Sequence, residues 1–131
     1  MSTFIVLAAI NGFLGVALGA FAAHSLAAYF SDKPRLEANF KTGVQYHFYH
    51  ALAIAIAVLI SQFEDNTTIK RSFVMFAIGI LFFSGSLYGF TFAEATGTEG
   101  VRWLGAITPI GGIFFVLGWL NLSIGVFKSK I

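Results

Sequence analysis

The sequence predicts an all-α integral membrane protein, four transmembrane helices in a compact bundle. Hydrophobic residues make up 57% of its 131 positions and charged residues only 11%, well under half the roughly 25% charge of soluble domains. A water-soluble fold could hardly cover its surface with so little charge. The fourteen charged residues also fall in short patches: Asp32 to Lys41, Glu64 to Arg71, Glu94 to Arg102, and Lys128 with Lys130. Between the patches run four charge-free tracts, 2–31, 42–63, 72–93 and 103–127. About 20 apolar residues in a helix cross the roughly 30 Å hydrocarbon layer. Each tract is long enough, which places spans near 3–26, 43–62, 72–92 and 103–127 of a single domain covering 1–131.

The first span carries small residues at spacings of three and four: Ala8, Gly12, Gly15, Gly19, Ala22 and Ala23. Such a stripe lets helix backbones approach closely in lipid. Asn11 lies inside the tract, where its amide needs an interhelical partner. The opening MSTFIVLAAI has no lysine or arginine, so the tract is expected to be retained rather than cleaved as a signal peptide.

Next comes an amphipathic, interfacial segment between the first two spans. Ser31 or Asp32 can cap a helix and Pro34 suits its first turn. If that helix runs on, Leu36, Phe40, Gly43, His47, His50 and Ile54 share one face. A break near Thr42–Gly43, with the second span starting there, is the alternative. The 64–71 connection reads as a polar turn. In the third span, Ser84, Gly85 and Ser86 suit a close, hydrogen-bonded helix contact. The last span opens on Trp103, an interfacial aromatic. It contains TPIGG at 108–112, where Pro109, Gly111 and Gly112 predict a kink or short break.

On this topology His24, His47 and His50 lie at one end of the bundle, with Gln45 and Tyr46 beside them, and Glu94, Glu99 and Arg102 share that side. Three chemistries fit. The histidines could hold a metal, with His47 and His50 at i and i+3. They could relay protons with a tyrosine or Glu94. Or the imidazoles and Gln45 could hydrogen-bond between helices while Tyr46 and Tyr49 sit in the interfacial belt, and this third reading is the expectation. The chain has no cysteine, which removes thiol chemistry and cysteine metal sites. It lacks a GxSxG elbow, a phosphate loop and a dinucleotide fingerprint, so no enzyme activity and no cofactor are expected. The formal charge of +2 reflects the flanks of spans rather than a nucleic-acid surface. By topology, Lys70, Arg71, Lys128 and Lys130 face Lys33, Arg35, Lys41 and Arg102 across the membrane, so the positive-inside rule sets no orientation.

Four segments together, GAFAAHSL at 19–26, ANFKTGVQYHFYHALA at 38–53, SGSLY at 84–88 and LGAITPIGG with GW at 104–112 and 118–119, resemble the YgdD-like family of small bacterial membrane proteins. That family is of unknown function and is related to eukaryotic transmembrane protein 256. The resemblance covers nearly the whole chain and implies an inner- or plasma-membrane protein of about four spans, with no activity attached. It implies recurrent positions at His24, Gln45, Tyr46, His50, Ser84, Gly85, Ser86, Tyr88, Pro109, Gly111, Gly112 and Trp119. Two features depart from it: a histidine at 47, and a longer third connection, which sets Glu94 and Glu99 aside. The function expected is therefore non-enzymatic, an interaction, lipid-contacting or assembly-supporting role. Its partners would be the bilayer and either a second copy or another membrane protein. The alternative is a minimal transporter or a proton- or metal-handling protein using the histidines at one end.

Overall fold

The computed structural model describes residues 2–129. The helices are α1 (Ser2–His24), α2 (Ala27–Phe30), α3 (Pro34–Ile60), α4 (Thr67–Gly79), α5 (Gly85–Ala95) and α6 (Leu104–Lys128). A five-residue π-helical turn, Ile80–Ser84, joins α4 to α5, so these three pieces make one span, Thr67–Ala95. The four spanning helices have 22, 27, 29 and 25 residues. At 1.5 Å per residue even the shortest covers about 33 Å, enough for the hydrocarbon layer. The protein is an all-α, four-span membrane bundle.

Helix ends follow local chemistry. Pro34 opens α3 as its first residue, where its missing N–H is no loss. Glu37 and Lys41 then pair at 2.7 Å one turn apart, and α3 continues through Thr42 and Gly43 without the break the sequence left open. The interfacial segment is accordingly the short α2 plus the first turns of α3. Asn66 caps α4, its Oδ1 accepting from Thr68 N at 2.8 Å, and its Nδ2 donates to Gly125 O at 3.0 Å. That bond ties the start of α4 to the end of α6, so the 64–71 connection is more than a polar turn. At the other end Gly97, with φ of +66°, takes the left-handed conformation that terminates α5. Gly97 N then donates to Glu94 O and Thr98 N to Ala93 O.

α3 lies at the centre of the bundle, with α1 packed chiefly on it, while α6 packs chiefly on α4 and the π turn. The α1 seam uses Ala8, Gly15, Gly19 and Ala22: Gly15 lies against Phe48 and Gly19 against Val44. Gly12 belongs to the same stripe but faces open space. On α6 the buried face reads Gly111, Phe115, Gly118, Leu122, Gly125, a four–three alternation of glycine and bulk. The three glycines receive Phe83, Phe76 and Ile69, respectively, themselves seven residues apart. This is an antiparallel ladder of knobs in glycine holes. Pro109 removes only one helical bond, to Gly105 O, and α6 runs unbroken through it. Gly111 therefore serves close packing against the π turn. The short break the sequence offered there does not occur, and the irregular turn of the bundle lies in the third span.

Two apolar clusters make up the core. The larger includes Ile54, Ile69, Phe73, Phe76, Phe115 and Leu122. The smaller stacks Phe30, Phe40 and Tyr88 near the α2 end. The face Phe40, Gly43, His47, His50, Ile54 of α3 is buried, and it carries the histidines between the two clusters.

Candidate functional site: a polar layer at mid-membrane

Because α3 begins at Pro34 rather than near Gly43, its histidines sit deep. His50 is nine residues beyond Lys41, about 14 Å along the helix and close to half the hydrocarbon thickness. His47 and His50 are each 4% exposed. A polar ring at that depth is costly unless its nitrogens are satisfied within the protein, and both rings are satisfied.

His47 Nδ1 lies 2.9 Å from Tyr88 Oη and Nε2 lies 3.2 Å from Asn11 Oδ1. Asn11 Nδ2 donates to Leu7 O at 2.8 Å, so its Oδ1 must be the group facing the imidazole. A carbonyl oxygen only accepts, hence Nε2 carries the hydrogen and Nδ1 accepts from the tyrosine. His50 has the opposite tautomer: Nδ1–H donates to Tyr46 O at 2.7 Å, and Trp119 Nε1–H donates to Nε2 at 3.2 Å. The His50 ring also stacks on Phe115 with centroids 3.5 Å apart and 7° between planes. Each imidazole is thus a neutral connector, His47 joining α3 to α1 and α5, His50 joining α3 to α6. Neither keeps a lone pair for a metal.

His24 does not join them. Gly15 faces Phe48 and Gly19 faces Val44, so the antiparallel register sets His24 level with about Asn39. That is eight residues, or about 12 Å, from the level of His47. His24 is exposed at the end of α1. The expectation of a three-histidine cluster at one end is therefore corrected: the histidines occupy two levels, and the polar layer lies at mid-height. Among the described residues no three of His, Asp and Glu gather as metal ligands would. Glu94 lies six residues, about 9 Å, beyond Tyr88 on α5 and belongs to the membrane edge, where Lys33 and Arg35 share its surroundings.

Gln45 turns away from the histidines and donates to Tyr49 Oη at 2.6 Å on the outer face of α3. Tyr46 contributes its carbonyl to His50 and its ring to Phe83, centroids 4.9 Å apart. Tyr46 and Tyr49 thus lie at histidine depth rather than in an interfacial belt. The SGS motif is divided three ways. Ser84 Oγ donates to Gly43 O at 2.6 Å, Ser86 Oγ lies 2.5 Å from Thr108 Oγ1, and Gly85 opens onto a side cleft. Gly112 makes no close packing, its nearest neighbour for an added Cβ being Phe83 at 3.9 Å.

Sequence reasoning missed the glycine ladder that Gly118 and Gly125 form with Gly111, although the seven-residue spacing of 111, 118 and 125 was readable, and it missed Gly79, which makes room for Phe115 from the facing helix. It also missed the π turn, which nothing in ILFFS announces. Near the membrane edges two lysines pair with neighbouring carboxylates. Lys33 beside Asp32 and Lys70 beside Asp65 hold those carboxyls below their ordinary range.

The fold and this layer define a polytopic helical membrane protein whose polar side chains bond its helices to one another. The family described as "Protein of unknown function (DUF423)" matches residues 18–112. The chain is 43% identical over 127 residues to a UPF0382 membrane protein of Haemophilus influenzae, covering 97% of this chain and 95% of that one. It is 41% identical over 130 residues to the UPF0382 membrane protein YwdK of Bacillus subtilis, covering 98% of each. A Staphylococcus epidermidis relative of the same description is 40% identical over 128 residues, again covering 98% of each. The chain belongs to this small bacterial membrane protein family of unknown function. No solved structure matches it significantly.

Proposed function

We propose that this protein is a non-enzymatic, lipid-contacting component of the bacterial cell membrane. The observation that carries the reading is that both mid-membrane histidines have each ring nitrogen partnered within the bundle. Both buried histidines are neutral and fully partnered, so what the protein offers outward is its apolar surface. Four α-helical spans suit an inner or plasma membrane, since outer-membrane proteins are β-barrels. The alternative of transport from the His24 end is disfavoured by the Phe30–Phe40–Tyr88 stack, whose two phenylalanines are at most 1% exposed and fill that end.

The test is purification without a polyhistidine tag, followed by metal analysis and lipid extraction. Background metal with about one or more phospholipids retained per chain is expected. Stoichiometric metal lost in His47→Gln or His50→Gln protein, or a protein stripped of all lipid in mild detergent, would overturn the reading. A second copy is the partner favoured next, because only 11% of the most apolar 18-residue stretch of α1 is buried. A defined dimer by light scattering supports it, and a lone monomer counts against it.

A further inference from the structure

A lateral cleft of about 340 Å³ separates α1 from the third span. Its walls are apolar, with Leu14 and Leu81 on an exposed rim and Ile80 of the π turn deeper in. Asn11, His47 and Tyr88 stand on its inner side, and no charged residue lines it. Two facts make it open. Gly85 contributes no side chain, and an added Cβ there would meet nothing nearer than Ile80 O at 4.0 Å. The π turn inserts an extra residue into the helix beside it, a distortion frequent at functional sites.

The polar side of the cleft is not saturated. Asn11 spends one N–H on Leu7 O and one lone pair on His47, and an amide has two of each. One N–H donor is therefore left for a ligand at a depth where water is scarce. We infer that this cleft holds an uncharged long-chain lipid whose carbonyl head accepts from Asn11 while its tail leaves past Leu14 and Leu81 into the bilayer. Depth excludes phospholipid head groups, because a phosphate or ammonium at the level of His47 has no counter-charge in the cleft. A bare acyl chain would leave the amide donor unmet. Prenylated quinones and diacylglycerols both supply the shared chemistry, a neutral carbonyl on a membrane-soluble body.

This inference rests on the lipid-contact reading and names the lipid's class, so its failure would leave that reading standing. The experiment uses the full chain in nanodiscs of dioleoylphosphatidylcholine, with menaquinone-4 in one arm and dioleoylglycerol in the other. Bound probe is quantified against empty nanodiscs. Saturable binding of about one molecule per chain is expected in one arm or both, and the arm that binds identifies the source. Gly85→Leu fills the cleft and should lower affinity at least tenfold, with Leu81→Trp on the rim giving the same readout should Gly85→Leu not fold. Asn11→Leu should weaken binding about tenfold, the worth of one hydrogen bond, and Gly12→Ala, outside the cleft, should leave it unchanged. Binding no greater than to empty nanodiscs in both arms, binding by a folded cleft-filling variant equal to wild type, or an equal loss in Gly12→Ala would overturn the proposal.

Discussion

His47 and His50 are three residues apart on one helix, yet they bond to different neighbours and hold opposite tautomers. The reason is where α3 lies: at the centre of the bundle, a 60° difference in direction is enough to reach a different helix. Each imidazole also depends on one particular donor or acceptor. Replacing Trp119 with phenylalanine keeps an aromatic ring against Phe76 but leaves His50 Nε2 without a donor. We expect a loss of about 1–2 kcal/mol, the range for an orphaned polar group moderated by the membrane setting. SDS-induced unfolding followed by circular dichroism would measure it. Asn121→Leu removes only a local bond to Leu117 O and should change stability by under about 0.5 kcal/mol. Equal behaviour of the two variants would mean the indole–imidazole bond carries no stability. The partners themselves cannot be read from sequence: Asn11 in an apolar span needs one, but its pairing with His47, 36 residues away, is visible only once α1 and α3 are in register.

At the scale of elements, the third span and α6 interlock through glycines that have no room for a methyl group. An alanine Cβ at Gly111 would fall on the backbone of Phe83, and one at Gly118 would stand 2.6 Å from the ring of Phe76. Gly111→Ala should therefore cost about 1–3 kcal/mol by overpacking, read as a lower unfolding midpoint in detergent. Gly12→Ala, facing open space, should be neutral or stabilising by about 0.5–1 kcal/mol through helix propensity. A Gly111→Ala protein as stable as wild type would show that α6 can step away from the π turn at no cost. The Gly-Gly of TPIGG drew attention in the sequence for its weakness as helix. Of the pair, Gly111 provides close approach, because α6 passes against the backbone of Phe83 in the π turn.

At the scale of the whole molecule, the topology places the 61–66 connection and Ser129 on one side of the membrane and the 96–103 connection on the other. The chain has no cysteine, so single substitutions can be labelled cleanly. With a membrane-impermeant maleimide on sealed vesicles of one orientation, Asp65→Cys and Ser129→Cys should react together. Thr98→Cys should react only after permeabilisation. Labelling of all three from one side would refute the four-span reading. The orientation itself stays balanced, since the basic residues divide evenly in sequence and Lys130 lies outside the described residues.

The number of spans and the all-α class were determined by the sequence alone, because charge is so costly in hydrocarbon that fourteen residues in four patches leave little choice. The need of Asn11 for a partner followed from the same cost, and the closeness of the SGS contact from side-chain size. The depth of the histidines was decided only by the tertiary structure. Whether α3 starts at Pro34 or near Gly43 moves His50 from the membrane edge to its middle, and the local sequence permits both starts. Burial of Phe40 and Gly43 against Tyr88 favours the longer helix. The register of α1 on α3 then separates His24 from the other two. Residue identity sets which groups must find partners, and packing over the whole bundle decides which partners they find.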